Sequence, residues 1–98
     1  MKRFDVTAGA LADVLEIWDF IAEDNLEAAD RVLDEFNQAF RKLTEVPGLG
    51  HLRQDLTKRN LFFWPVRSYL VIYQKTDPLL VLAVLHGKRN VRKILKGR

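Results

Sequence analysis

Cysteine is absent from the 98 residues, which excludes disulfide staples, thiolate metal sites and cysteine nucleophiles and suits a reducing compartment. Stability has to come from packing alone. Histidine is nearly as scarce: His51 and His86 stand far apart, with no His-x-x-x-His or Asp-x-Asp spacing beside them, so neither a metal site nor a cofactor is expected. Glycine is limited to five positions. The close pair Gly48 and Gly50 lacks the Lys-Ser/Thr ending of a phosphate loop and follows a helical segment, where such a loop would follow a strand. No apolar run approaches the ~20 residues of a membrane span. Met1-Lys2-Arg3 leads into Phe4-Asp5-Val6-Thr7 and not into the apolar stretch of a secretory signal. These absences point to a cytoplasmic protein that makes no use of a membrane.

What is present is a composition 48% hydrophobic and 30% charged, the balance of one globular domain over residues 1–98. The formal charge of +3 conceals a division. Residues 1–45 hold five Lys/Arg against eleven Asp/Glu, a net of −6, and residues 46–98 hold eleven against two, a net of +9. A split of this kind predicts an anionic partner for the second half.

Between Ala8 and about Asp24, Leu11, Val14, Leu15, Trp18, Ile21 and Ala22 recur at steps of three and four, predicting a helix that buries this stripe, with Thr7 as N-cap. Ala29, Val32, Leu33, Phe36, Phe40 and Leu43 predict a second helix capped by Asn25, its acids early and Arg41-Lys42 late, as the helix dipole favours. Pro47-Gly48-Leu49-Gly50 ends the helical region. Beyond it, Leu61 to Trp64, Tyr69 to Tyr73 and Leu79 to Leu85 read as strands, with a turn at Thr76-Asp77-Pro78 making the last two a hairpin; Lys2 to Val6 adds an edge strand. The expected fold class is α+β, a small antiparallel sheet with an N-terminal helical hairpin on one face (β-α-α-β-β-β). Function is expected on the open sheet face and the C-terminal segment.

Several residue groups invite a chemical reading. Glu16, Asp19 and Glu23 form a solvated helix face, with nothing in the pattern to desolvate them. Phe62-Phe63-Trp64 could stack on bases, and core packing explains them as well. Lys88, Arg89, Arg92, Lys93, Lys96 and Arg98 fall within eleven residues with no acid among them. With Arg53, Lys58, Arg59 and Arg67 they form a candidate patch for phosphate or for an acidic protein segment. His86, at a strand end, carries an imidazole, a group suited to acid–base work or to a structural role.

Taken in order, Ala12-Asp13-Val14-Leu15-Glu16-Ile17-Trp18, Ala28-Ala29-Asp30-Arg31, Pro47-Gly48-Leu49-Gly50, Ser68-Tyr69-Leu70-Val71-Ile72-Tyr73 and Val84-Leu85-His86-Gly87-Lys88-Arg89-Asn90 resemble the ParE/RelE superfamily of bacterial type II toxins. The resemblance implies the same β-α-α-β-β-β fold, a cognate antitoxin with an acidic amphipathic tail in a hetero-oligomer with the toxin, and contact with operator DNA only through that antitoxin. It also implies one of two activities. RelE-like members cleave messenger RNA on the ribosome with cations that hold the scissile phosphate and a side chain that moves protons. Where those members carry lysines and an arginine this chain has Leu61, Phe63 and Leu70, and Leu95 falls near their tyrosine; Arg89 alone remains. The ParE-like branch, which blocks DNA gyrase through a protein interface, is therefore favoured, with Lys88, Arg89, Arg92, Lys93 and Lys96 as target-binding residues and no catalytic residue. The alternatives are a ribonuclease using Arg89 with His86, Arg67 and Lys88, and a non-toxic member that serves only as an antitoxin-binding corepressor.

Overall fold

Thr7 lies where the chain turns from strand into helix, and the computed structural model, which describes residues 3–98, shows how it serves both. Its side-chain oxygen accepts from the Ala10 N–H at 3.1 Å, capping α1 (Ala8–Ala22). Its hydroxyl donates to the Leu82 carbonyl at 3.1 Å. The strand it ends, β1 (Phe4–Val6), is the described part of the expected edge strand; Lys2 lies outside the described residues. Asn25 accepts from the Ala28 N–H at 3.0 Å and caps α2 (Leu26–Glu45), which closes the helical hairpin.

A short 3-10 turn (Pro47–Leu49) leads into β2 (His51–Leu52), β3 (Phe62–Val66), β4 (Tyr69–Gln74) and β5 (Leu79–His86), and the chain then forms α3 (Val91–Lys96). The strand order is β1-β5-β4-β3-β2. The expectation of an antiparallel sheet needs correction: β1 runs parallel to β5, because the whole helical hairpin and three strands lie between them in the chain, while the other pairs are antiparallel.

Two further expectations are corrected. The buried stripe of α1 only partly matches the predicted one, sharing Val14 and Ile21 with it. Ala10, Val14, Ile17 and Ile21 face the core, and Leu11 and Leu15 remain 52% and 51% exposed. Nor is any sheet face open. α2 buries Val32, Phe36, Phe40 and Leu43 with Val71, Tyr73, Val81 and Val84 on one side. On the other, Val91 and Leu95 of α3 pack with Leu61, Phe63, Ile72 and Leu85. Phe62 and Trp64 therefore turn to the helical hairpin and Phe63 to α3, as period-two alternation requires, and all three rings serve packing.

The edge of β5 beyond Val6 has no strand to pair with. In the β4–β5 register Ile72 lies opposite Ala83 and Tyr73 opposite Val81, so Leu82 is an extra residue, a bulge that re-aims the backbone after it. Side chains then take the place of the missing strand. Thr7 satisfies the Leu82 carbonyl, and Asp13, 5% exposed, accepts from the Val84 N–H at 3.0 Å. Arg98 forms a two-pronged ion pair with Asp13, one arm at 2.8 Å, and Asp13 in turn raises the Arg98 pKa above its ordinary value. Nothing in the sequence pattern singled out Asp13, and Arg98 belongs to this pair and not to a free basic tail.

A second buried network ties the 3-10 turn to the sheet. The Tyr73 hydroxyl donates to the Pro47 carbonyl at 2.6 Å and accepts from the Gly50 N–H at 3.0 Å. A Cβ on Gly50 would come within 2.5 Å of that hydroxyl, so only glycine fits. Burial pushes the Tyr73 pKa up, opposed in part by the Gly50 N–H.

Replacing Asp13 with Ala strands the Val84 N–H and the Arg98 guanidinium together, and is expected to cost about 3 kcal/mol in urea unfolding. Asp13→Asn, which keeps an acceptor, is expected to cost less; equal stability of Asp13→Ala and wild type would refute this account. For Tyr73, the raised folded pKa means that the unfolded state loses its phenolic proton first. Its contribution is complete below the ordinary value of ~10 and falls as pH rises through the folded value. In a Tyr69→Phe background the remaining tyrosine should ionise above ~10 by ultraviolet absorbance, and ionisation at the ordinary value would contradict the network.

Candidate functional site

α3 exists because Asn90 caps it, accepting from the Lys93 N–H at 3.2 Å, and because Val91 and Leu95, four residues apart, are both buried. That spacing sends Arg92, Lys93 and Lys96 to the outward half of the helix, where all three are exposed. Lys93 and Lys96 also stand in the last turn, where cations complement the helix dipole. Lys88 and Arg89 are exposed in the turn between β5 and α3.

The segment between β2 and β3 lies beside α3 and is strapped to it twice. Arg59 donates to the Leu95 carbonyl at 3.1 Å, occupying a C-terminal helix carbonyl, and Arg92 donates to the carbonyl of Asp55. Leu56 packs into the α3-side core between two open hollows. One, about 450 Å³, is bordered by Lys58, Arg59, Arg92 and Lys96. The other, about 290 Å³, is bordered by Arg53, Arg67 and Arg89. The carboxylate on this face is Asp55, which Arg53 holds at 2.8 Å and keeps below its ordinary pKa.

Of the five expected target-binding residues, Arg92 and Lys96 border one hollow with Lys58 and Arg59, Arg89 borders the other with Arg53, and Lys88 and Lys93 are exposed on the adjoining turn and helix. The sequence carried the charges of this face; it did not show that the segment around Leu56 folds against α3, since a loop has no periodicity to read.

Other residues singled out by sequence are placed differently. Arg67, in the β3–β4 turn with φ 55°, donates to both carboxylate oxygens of Glu35 on α2, at 2.8 and 2.6 Å. Those hydrogen bonds hold Glu35 below the ordinary carboxylate pKa. The His86 ring meets Tyr69 edge-on at 5.4 Å, on the helical-hairpin side of the sheet, and its Nδ1 accepts from the Lys88 N–H at 3.0 Å. Leu61, Phe63 and Leu95 are buried and Leu70 is half-buried against them, all in the α3-side core. No helix among the described residues is long and apolar enough to cross a membrane.

Comparison with known proteins places this geometry. A search of curated proteins finds no match. Among solved structures, a chain of the chromosomal ParDE TA system from P. aeruginosa shares the fold, with a TM-score of 0.71 and 17% sequence identity over 88% of this chain and 96% of that one. Residues 4–91 match the family described as the ParE toxin of type II toxin-antitoxin system, parDE, a span that runs from β1 to the first residue of α3. The protein belongs to the ParE toxin family of type II toxin–antitoxin systems.

Proposed function

We infer that this toxin acts by gripping DNA gyrase through a protein interface and blocking its religation step, without chemistry of its own, and that a cognate antitoxin neutralises it. One observation carries the reading. At the positions where the resemblance would put the catalytic cations and proton carrier of RNA-cutting relatives, the side chains are Leu61, Phe63, Leu70 and Leu95, and these pack into one core between the sheet and α3. Phosphate-ester cleavage needs a base for the 2′-hydroxyl, an acid for the leaving oxygen and cations on the developing charge. A buried leucine supplies none of these.

The two side chains next best suited to the chemistry are occupied. Arg67 is committed to Glu35, and the His86 ring lies on the opposite side of the sheet from the hollow that Arg89 borders. The family, and the ParDE TA system of which one chain has this fold, support an antitoxin partner. The acidic tail that the family resemblance implies for the antitoxin would be drawn toward the cationic half of the chain, and such an encounter slows steeply with added salt.

Purified protein is expected to stop gyrase supercoiling and accumulate cleaved DNA complexes while leaving transcripts intact in a translating extract. Changing Lys88, Arg89, Lys93 and Lys96 together to alanine should reduce inhibition at least tenfold with an unchanged circular dichroism spectrum, because these side chains are exposed and carry no packing. Site-specific transcript scission that disappears on Arg89→Ala or His86→Ala would replace this reading with the ribonuclease one.

A further inference from the structure

We propose that the face formed by α3 and the segment around Leu56 binds the phosphodiester backbone of duplex DNA directly, so that the toxin holds nucleic acid as well as protein at its target. The inference rests on the gyrase reading for its setting and on the surface itself for its chemistry.

Six cations border the two hollows of this face, Lys58, Arg59, Arg92 and Lys96 at one and Arg53 and Arg89 at the other, and Lys88 and Lys93 are exposed beside them on the turn before α3 and on α3 itself. Against them stands one carboxylate, Asp55, already paired with Arg53. Arg59 and Arg92 donate to backbone carbonyls, which use hydrogen-bond donors and leave the charge uncompensated. The side chains of Lys58, Lys88, Arg89, Lys93 and Lys96 make no hydrogen bond or ion pair among the described residues. Elsewhere the fold does neutralise arginines, Arg67 with Glu35 and Arg98 with Asp13. Arg31 and Arg41, which form no ion pair among the described residues either, sit on α2 among its acids, whereas the cations of this face crowd around a single carboxylate that is already paired, and such a concentration is the footprint of an anionic ligand.

The type of anion follows from what the face lacks. A docked protein segment needs apolar anchors that enter desolvated pockets. The large apolar side chains that this molecule exposes include Leu11, Leu15, Phe20 and Leu26, all on the helical hairpin. Leu52 shares the sheet face of its partner Phe62, which packs toward the same hairpin. On the cationic face Leu95 is buried and Leu56 half-buried. An open, cation-rich surface without an exposed anchor suits a polyphosphate backbone, which asks for charge and N–H donors only. The opposite layer enforces one orientation, since Glu16, Asp19, Glu23 and Glu27 are exposed there and repel the same backbone.

The test is fluorescence anisotropy of a short labelled duplex, with no gyrase present, titrated with the whole chain at several salt concentrations. If the five unengaged cations each displace a counterion, log K should fall against log salt with a slope of about −4.5, roughly 500-fold between about 50 and 200 mM, and regardless of DNA sequence. The Lys93→Ala/Lys96→Ala double variant should flatten the slope by about 2, and Arg31→Ala/Arg41→Ala on α2 should leave it unchanged. No binding, a salt-independent affinity, or equal flattening by both variant pairs would overturn the proposal. So would capture of a polyglutamate peptide of matched charge by a protein that ignores DNA. Gyrase inhibition without duplex binding sinks this inference alone; duplex binding without gyrase inhibition upholds it and sinks the gyrase reading.

Discussion

A strand that outlasts its neighbour sets the central constraint of this fold. β1 ends at Val6, where Thr7 begins a helix, yet β5 continues to His86 and must satisfy its outward backbone groups somewhere other than water. The bulge at Leu82 aims the Val84 N–H toward α1, and Asp13 meets it. A buried carboxylate needs a counter-charge, and Arg98, arriving from the far end of the chain, supplies it. One donor on β5 thereby fixes the rotation of α1, the burial of an acid in its apolar face and the position of the residue that follows α3.

This arrangement separates what holds the molecule together from what it presents. The inner positions of α3 are Val91 and Leu95, each contributing about 1.5–3 kcal/mol by burial, and the outer positions carry only charge. The acids of the helical hairpin occupy the opposite layer. Because the apolar and cationic positions of α3 alternate along a single helix, the surface can change without loss of the core beneath it. The family match ends at Val91, so Arg92, Lys93 and Lys96 lie beyond the matched span.

The two helices of the hairpin, the strands from Leu61 onward and the β4–β5 hairpin were legible in the sequence, since caps and apolar spacing are local signals; α2 shows this with Ala29, Val32, Phe36, Phe40 and Leu43 all inward. α1 was legible as a helix and partly misread as to its face. The expected stripe ran through Leu11, Val14, Leu15, Trp18, Ile21 and Ala22, and the core instead takes Ala10 and Ile17 with Val14 and Ile21, on a face where Asp13 breaks the apolar pattern. Only the β5 edge explains an acid there, and that edge is a tertiary fact. α3 has six residues and β2 two, too short for periodicity to register. The charges of the candidate surface could be counted in the sequence; that Arg67 and Arg98 are withdrawn from it into ion pairs could not, because Glu35 and Asp13 are distant in the chain.

The parallel pairing of β1 with β5 carries a consequence for biosynthesis. The first strand to leave the ribosome has to wait for the last, and α3, which follows every strand, is far below the ~12–15 residues at which a helix holds in isolation. Val91 and Leu95 have nowhere to dock until the sheet has closed, so the basic roof forms at the very end of folding. On the reading proposed above, the surface that meets the target is therefore the last part of the described fold to be assembled.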